Sequence, residues 1–94
     1  MSFERVVALN VVDLALYQKY RDEMAPILKA HGGGFRYDFT VSKTLTSEAS
    51  HPINRLFVIS FPDQESHDRF FANPDYKKIR ATYFEPAVQG VTLL

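Results

Sequence analysis

The sequence predicts an α+β fold in which four antiparallel strands form one sheet and two helices cover one of its faces. Apolar and polar residues alternate over positions 35–42, which is typical of a strand, whereas apolar residues recur every three or four positions over 17–31, which is typical of a helix. The triplet Gly32-Gly33-Gly34 separates the two segments, and glycine commonly ends a helix because it tolerates positive φ. The predicted element order is strand, helix, strand, strand, helix, strand.

The first strand is predicted over residues 5–12, where apolar side chains occupy both faces and Asn10 is the one polar interruption. Asp13 follows as a candidate N-cap for the first helix. Pro26 lies inside that helix, lacks an N–H and crowds the carbonyl of Asp22, so we expect a kink or a restart of the helix there.

The second half of the chain repeats this plan. Residues 54–61 form a strand with apolar side chains on both faces, and Asp63 caps the helix that follows. Asn73-Pro74 is a second helix start, with Asn as the N-cap and Pro at the first helical position. Pro86 is expected to end this helix, and residues 87–94 are predicted to form the last strand.

Two βαβ-like halves joined by a central hairpin make a ferredoxin-like βαββαβ sandwich, here predicted as a single domain over residues 1–94. Because both helices cover the same face of the sheet, apolar strand residues on the other face need a different cover. The simplest cover is the sheet of a second copy, so we expect a homodimer whose two sheets pair into an α/β barrel.

The amino-acid composition argues against several classes of function. Eleven acidic and eleven basic residues give zero formal charge, whereas a nucleic-acid footprint needs clustered Lys and Arg, so we expect no nucleic-acid partner. The chain has no cysteine and therefore no thiolate nucleophile. It has neither a signal-peptide pattern nor an apolar run near the roughly 20 residues of a membrane span. We expect a cytoplasmic protein without a membrane partner.

The sequence resembles the small bacterial proteins grouped as domain-of-unknown-function family 1330, over essentially the whole chain. The first half carries the resemblance in a helix with Tyr17, Tyr20 and Pro26, then Ala30-His31-Gly32-Gly33. The second half carries it in Phe57-Val58-Ile59-Ser60-Phe61-Pro62, Asn73-Pro74-Asp75-Tyr76 and Ile79-Arg80. The chain departs from the family in its long, Ser- and Thr-rich segment over residues 43–54.

The resemblance implies membership of the dimeric α/β-barrel superfamily, in which two ferredoxin-like chains pair their sheets. Relatives in that superfamily include cofactor-free oxygenases, haem-degrading enzymes, lactone isomerases and ligand binders, so the fold alone does not give the function.

His31 is the one weak candidate for a catalytic residue. Histidine titrates near neutral pH and can serve as a general acid or base, or as a polar ligand contact. The alternative is a capping role, in which the imidazole bonds carbonyls of the last helical turn.

A polar row on the second strand is the candidate ligand site. Strict alternation puts Arg36, Asp38, Thr40 and Ser42 on one face, opposite the aromatic residues, and Asn10 could join them. The functional interpretation is a pocket in which Arg36 holds an anionic or carbonyl group. The alternative is that Arg36 and Asp38 are solvated, or pair across a dimer seam.

Tyr17 and Tyr20 lie on the inner face of the predicted first helix, as core residues or as ligand contacts through their hydroxyls. The three histidines show no metal-binding spacing, so we expect no metal and no cofactor.

The leading hypothesis is therefore a homodimer that binds a small, partly apolar molecule, with Asn10, Tyr17, Tyr20, His31, Arg36 and Asp38 as candidate contacts. One alternative is a cofactor-free oxygenase or isomerase, with His31 as base and Arg36 or Asn10 stabilising an oxyanion. The other is a structural or partner-binding module.

Overall fold

The computed structural model describes residues 2–94 and confirms the predicted α+β architecture. Four strands form one sheet in the order β2-β3-β1-β4, each antiparallel to its neighbours. The strands are β1 (Phe3–Val11), β2 (Gly34–Thr40), β3 (Arg55–Phe61) and β4 (Val88–Leu93). The helices are α1 (Leu14–Ala30), α2 (Gln64–Ala72) and α3 (Pro74–Ile79), followed by a π-helical segment (Arg80–Phe84) and a single turn, α4 (Glu85–Ala87).

The helix starts follow the predicted capping residues. Asp13 accepts a hydrogen bond from the Leu16 amide at 3.0 Å, and Asp63 accepts one from the Ser66 amide at 2.8 Å. Asn73 accepts bonds from the amides of Asp75 and Tyr76, which starts α3 directly after α2. These side chains satisfy amides that have no partner within their own helix.

Of the predictions about proline, a restart of the first helix at Pro26 is wrong. Helix α1 runs from Leu14 to Ala30 without a restart at Pro26, because Asp22 and Pro26 both lie on its exposed side, where water can bond the freed carbonyl. Pro86 lies one residue before the end of the helical region, which passes without interruption from the π-helical segment into α4, and the chain becomes extended at Val88.

One face of the sheet and the inner sides of the helices form the core. The buried side chains come from every layer of this sandwich. They include Val7 and Leu9 of β1, Tyr17, Tyr20, Met24 and Leu28 of α1, Phe57, Ile59 and Phe61 of β3, and Phe70, Tyr76 and Phe84 of the second helical region.

The three consecutive glycines have different roles. Gly32 has a φ of +74° and donates its N–H to Lys29, while Gly33 donates to Leu28, which together close α1 in a Schellman motif. A Cβ on Gly33 would lie 2.5 Å from the Leu28 side chain. A Cβ on Gly34 would meet no non-neighbouring atom of residues 2–94 within 4 Å. Only the first two positions therefore require glycine.

Strand β2 contains a bulge that overturns the predicted polar row. Phe35 pairs with Ile59, but Tyr37 pairs with Val58, so β2 advances two residues while β3 advances one. The extra residue is Arg36. Beyond it, the side chains of β2 change faces relative to strict alternation.

After the bulge, Asp38 pairs with Phe57 and Thr40 pairs with Arg55, so both lie on the helix-covered face. Arg36 instead reaches the opposite face, where it donates to Glu4 at 2.7 Å. Arg36 and Asp38 therefore do not share a face, and Ser42 lies beyond the end of β2.

The face without helices, which we call the open face, carries exposed aromatic side chains at the β2 edge. Tyr37 and Phe39 are 55% and 52% exposed and stack with ring centroids 6.1 Å apart. At the β4 edge the long segment that follows β2 folds back, and His51 lies over Gly90 and bonds Thr92 at 2.7 Å. This segment thus covers one side of the open face and leaves the aromatic side uncovered.

The glycine assignment predicts a contrast between two alanine variants. Gly32→Ala should lower the free energy of unfolding by about 1–2 kcal/mol, because a Cβ is unfavourable in the left-handed conformation and would also lie 2.7 Å from the Pro62 ring. Gly34→Ala is the matched control. It should change the free energy of unfolding by less than half as much as Gly32→Ala does. Urea denaturation followed by circular dichroism measures both; equal losses would contradict the assignment.

Candidate ligand-binding cavity

A cavity of about 320 Å³ lies between the sheet and the helices. Its volume is at the lower end of the range of about 300–1,000 Å³ that is common for ligand pockets. Apolar side chains form most of its wall. They are Val7, Met24, Phe35, Phe57, Ile59, Phe71, Phe84, Val91 and Leu93. A cavity of this size and lining suits a small ligand with an apolar body.

Two tyrosine hydroxyls meet at the cavity wall. The Tyr20 hydroxyl of α1 lies 2.8 Å from the Tyr76 hydroxyl of α3, although 56 residues separate them in sequence. Burial raises the pKa of both hydroxyls; for Tyr76 the hydrogen bond with Tyr20 and then the positive charge of Arg80 partly oppose the rise in pKa. Both tyrosines therefore stay protonated near neutral pH and act as hydrogen-bonding groups rather than as bases.

Three arginines also line the cavity: Arg5 of β1, Arg21 of α1 and Arg80 at the start of the π-helical segment. Each guanidinium lies against an aromatic ring. Arg21 is 3.8 Å from the Phe35 ring centroid, and Arg80 is 5.0 Å from that of Phe84. Cation–π contacts of this kind hold a charged group beside an otherwise apolar wall.

Asp38 binds one of these arginines, Arg21, from behind the cavity wall. Its carboxylate accepts two hydrogen bonds from Arg55, both at 2.8 Å, and two from Arg21, at 3.0 and 3.2 Å. Arg21 also donates to the Tyr17 hydroxyl at 2.8 Å. The hydrogen bonds from Arg55 are the main reason that the pKa of Asp38 is lowered; burial opposes them and Arg21 reinforces them.

Only some of the six residues predicted to contact a ligand lie at the cavity. Tyr20 lines the cavity, and Tyr17 and Asp38 reach it indirectly through Arg21. Arg36 lies on the open face, and Asn10 accepts a 3.5 Å hydrogen bond from Asn54 at the end of the sheet. The structure therefore does not bring the six candidates into one site.

His31 does not line the cavity. Its backbone closes α1, and its Nδ1 donates to the Ile27 carbonyl at 2.8 Å, which is the capping geometry given above as the alternative to catalysis. Its ring packs edge-on to Phe70, with centroids 5.9 Å apart.

Sequence reasoning missed Arg5, Arg80 and Tyr76 as cavity residues. Arg5 had a visible signal, because it falls on the same strand face as Val7 and Leu9, where an apolar residue is expected. Arg80 and Tyr76 had none, since their positions depend on how α3 and the π-helical segment pack against α1.

Residues 2–94 contain neither a metal-binding cluster nor a helix that could span a membrane. No three His, Asp or Glu side chains in this part of the chain lie close enough together to hold a metal ion. No helix in the same range is both long and apolar enough to cross a membrane.

The fold and the cavity define a ferredoxin-like α+β domain with a partly open cavity between its sheet and helices. The model of the family described as "Domain of unknown function (DUF1330)" matches residues 5–93, and the chain belongs to that family, as the sequence resemblance predicted. No protein of curated function matches the chain in sequence.

Several solved structures are similar in fold. A Rhodopseudomonas palustris protein of unknown function has a TM-score of 0.85 at 13% identity, covering 99% of this chain and 78% of its own. A dimeric ferredoxin-like protein of unknown function from Bacteroides fragilis scores 0.61 at 8% identity, with coverage of 99% and 92%. A putative antibiotic biosynthesis monooxygenase from Bacteroides thetaiotaomicron scores 0.59 at 14% identity, with coverage of 99% and 85%. These similarities establish the fold alone.

The Asp38 network predicts a pH-dependent contribution to stability. Asp38→Asn should lower the free energy of unfolding at pH 7 by about 1–3 kcal/mol, the scale of hydrogen bonds to charged groups. Because the pKa of Asp38 is lower in the folded than in the unfolded state, its contribution is present above about pH 3.9 and is lost as the pH falls through the folded-state pKa.

Urea denaturation of the wild type and of Asp38→Asn between pH 7 and pH 2 measures this contribution. The difference between the two proteins should shrink as the pH falls below about 3.9. Asp75→Asn on α3 is a control for loss of an acidic side chain, since Asp75 makes no ion pair within residues 2–94. If the difference in free energy of unfolding between the wild type and Asp38→Asn does not change with pH, the assigned charge network is contradicted.

Proposed function

We propose that this protein is a single-domain, cytoplasmic homodimer that binds a small, partly apolar molecule in the cavity between its sheet and helices. The cavity carries the proposal. It combines a mainly apolar wall with a few polar groups, which is the usual composition of a small-molecule site. These groups are the Tyr20–Tyr76 hydroxyl pair, His67 and the three arginines.

The rigidity of the cavity wall supports binding rather than simple imperfect packing. Tyr20 and Tyr76 are 6% and 2% exposed and are joined through their hydroxyls, and Arg21 is fixed by Asp38 and Tyr17. Polar side chains that are already oriented reduce the entropy cost of binding a ligand.

Self-association through the open face is the second part of the proposal. Tyr37 and Phe39 present two stacked aromatic rings to solvent beside Leu56 and Val58, and exposed apolar patches commonly mark interaction sites. The Bacteroides fragilis protein of similar fold is described as dimeric. A two-fold pairing would place the same patch of each protomer against its partner.

The proposal does not extend to a reaction. His31, the base of the oxygenase or isomerase hypothesis, donates its Nδ1 proton to a helix carbonyl and does not line the cavity. Arg36 and Asn10, the oxyanion stabilisers of that hypothesis, do not line it either.

Ligand binding is tested with the neutral fluorescent probe N-phenyl-1-naphthylamine and a residue at the cavity wall. Val91 lines the cavity and is 47% exposed, so Val91→Trp can fill the space without disturbing the buried core. The probe should bind this variant at least tenfold more weakly than it binds the wild type. Val12→Trp, at a 48% exposed position outside the cavity, is the matched control and should bind as the wild type does.

Absence of probe binding to the wild type, or equal binding to Val91→Trp, would remove the cavity from the proposal and favour the structural-module alternative.

Dimerisation is tested at Phe39. Phe39→Asp places a charge in the centre of the proposed contact and should convert the dimer into a monomer, because burying an unpaired carboxylate is costly. Leu45→Asp, at an 87% exposed position in the loop after β2, controls for the added charge and should remain dimeric. Analytical ultracentrifugation measures both. A wild-type monomer, or a Phe39→Asp variant that stays dimeric, would rule out this interface.

A further inference from the structure

We propose that the ligand of the cavity is a small organic acid, with an apolar body inside the cavity and a carboxylate that is bound by Arg5 and Arg80. This inference rests on the proposed function and specifies its ligand class. It is carried by the distribution of charge around the cavity, by the ion-pairing of each arginine and by the hydroxyl pair on the same wall.

The charge of the cavity differs from that of the chain as a whole. The chain has eleven basic and eleven acidic residues. The cavity wall has three arginines and His67 and, among residues 2–94, no Asp or Glu. Positive charge is thus concentrated where the surface is otherwise apolar, and a field of this kind favours an anion within the cavity.

The three arginines differ in their ion pairs. Arg21 pairs with Asp38 at 3.0 Å, shares that carboxylate with Arg55, and has a side chain that is only 10% exposed. Arg5 has no carboxylate within 4.0 Å among residues 2–94. Arg80 has one long contact, 3.7 Å to Glu85, between two side chains that are 44% and 59% exposed. Such exposed pairs are weak, so Arg5 and Arg80 are available to bind an anion.

The backbone around Arg80 gives a separate indication. Arg80 begins the π-helical segment, and Phe84, which ends it, also lines the cavity. A π-helical turn is uncommon and often occurs at a functional site, because it changes the direction of the side chains it carries. Here it places the Arg80 guanidinium and the Phe84 ring together on the cavity wall, 5.0 Å apart.

The tyrosine pair offers a further donor. Two hydroxyls carry two protons, and the single bond between Tyr20 and Tyr76 uses one of them. The other proton can be donated to an oxygen atom of a ligand. A carboxylate, which only accepts hydrogen bonds, matches both this hydroxyl and the guanidinium groups.

The occupant is therefore an acid rather than an alcohol, amide or amine. A neutral ligand would use the apolar wall and the hydroxyl but would form no ion pair with Arg5 or Arg80. A cationic ligand would be repelled by both. The cavity volume of about 320 Å³ restricts the acid to a small one.

The test compares octanoate with octanamide, which share the apolar chain and differ in charge, by isothermal titration calorimetry on the full chain. The wild type should bind octanoate about tenfold or more tightly than octanamide, which is the scale of charge-assisted hydrogen bonds. This preference should decrease as salt is raised. Arg5→Gln, Arg80→Gln and the double variant should lose it stepwise while octanamide affinity stays unchanged.

Arg69→Gln is the matched control. Arg69 pairs with Glu65 on the exposed side of α2 and does not line the cavity, so its variant should keep the preference for octanoate. Unchanged binding of the neutral naphthylamine probe shows that each Gln variant retains a folded cavity.

The outcomes separate the two proposals. If octanoate binds no better than octanamide, or if the double variant keeps the preference, the assignment of an acid is overturned. The proposed function survives that result as long as Val91→Trp still blocks the neutral probe. If the neutral probe does not bind the wild type and octanoate does not bind either, both proposals fail.

Discussion

The bulge in β2 decides which side chains of that strand reach which face of the sheet, and both proposed surfaces depend on it. With Arg36 as the extra residue, Asp38 pairs with Phe57 on the helix-covered face, and Phe39 pairs with Leu56 on the open face. Without the bulge these two side chains would exchange faces, since strand side chains alternate. A carboxylate would then lie on the open face and an aromatic ring would meet Arg21.

Placing Asp38 under α1 changes the chemistry of the cavity. Its carboxylate binds Arg21 and Arg55 together, so two guanidinium groups can be buried to 10% and 16% exposure beside aromatic rings. Burying a charge without a partner is costly, and Asp38 is the partner that permits it. Asp38 carries one negative charge and shares it between Arg21 and Arg55, so the arginines of the cavity wall that lack a close carboxylate are Arg5 and Arg80.

Much of the fold could be predicted from local signals, whereas most of the site could not. The helix starts were indicated by the capping residues Asp13, Asp63 and Asn73. The end of α1 was indicated by the glycines that follow it. The placement of Asp38 failed because a one-residue bulge is set by pairing with β3, which strict alternation within β2 does not reveal. The hydroxyl contact between Tyr20 and Tyr76 depends on the packing of distant helices, so no local pattern predicts it.

The register of β2 against β3 is therefore the most direct measurement. Inter-strand backbone nuclear Overhauser effects in isotopically labelled protein report which residues lie opposite one another. The account predicts that Phe35 lies opposite Ile59 and Tyr37 opposite Val58, with Asp38 opposite Phe57. A regular ladder, in which Tyr37 lies opposite Phe57, would contradict it, because Asp38 would then leave the helix-covered face and Arg21 would lose its counter-charge.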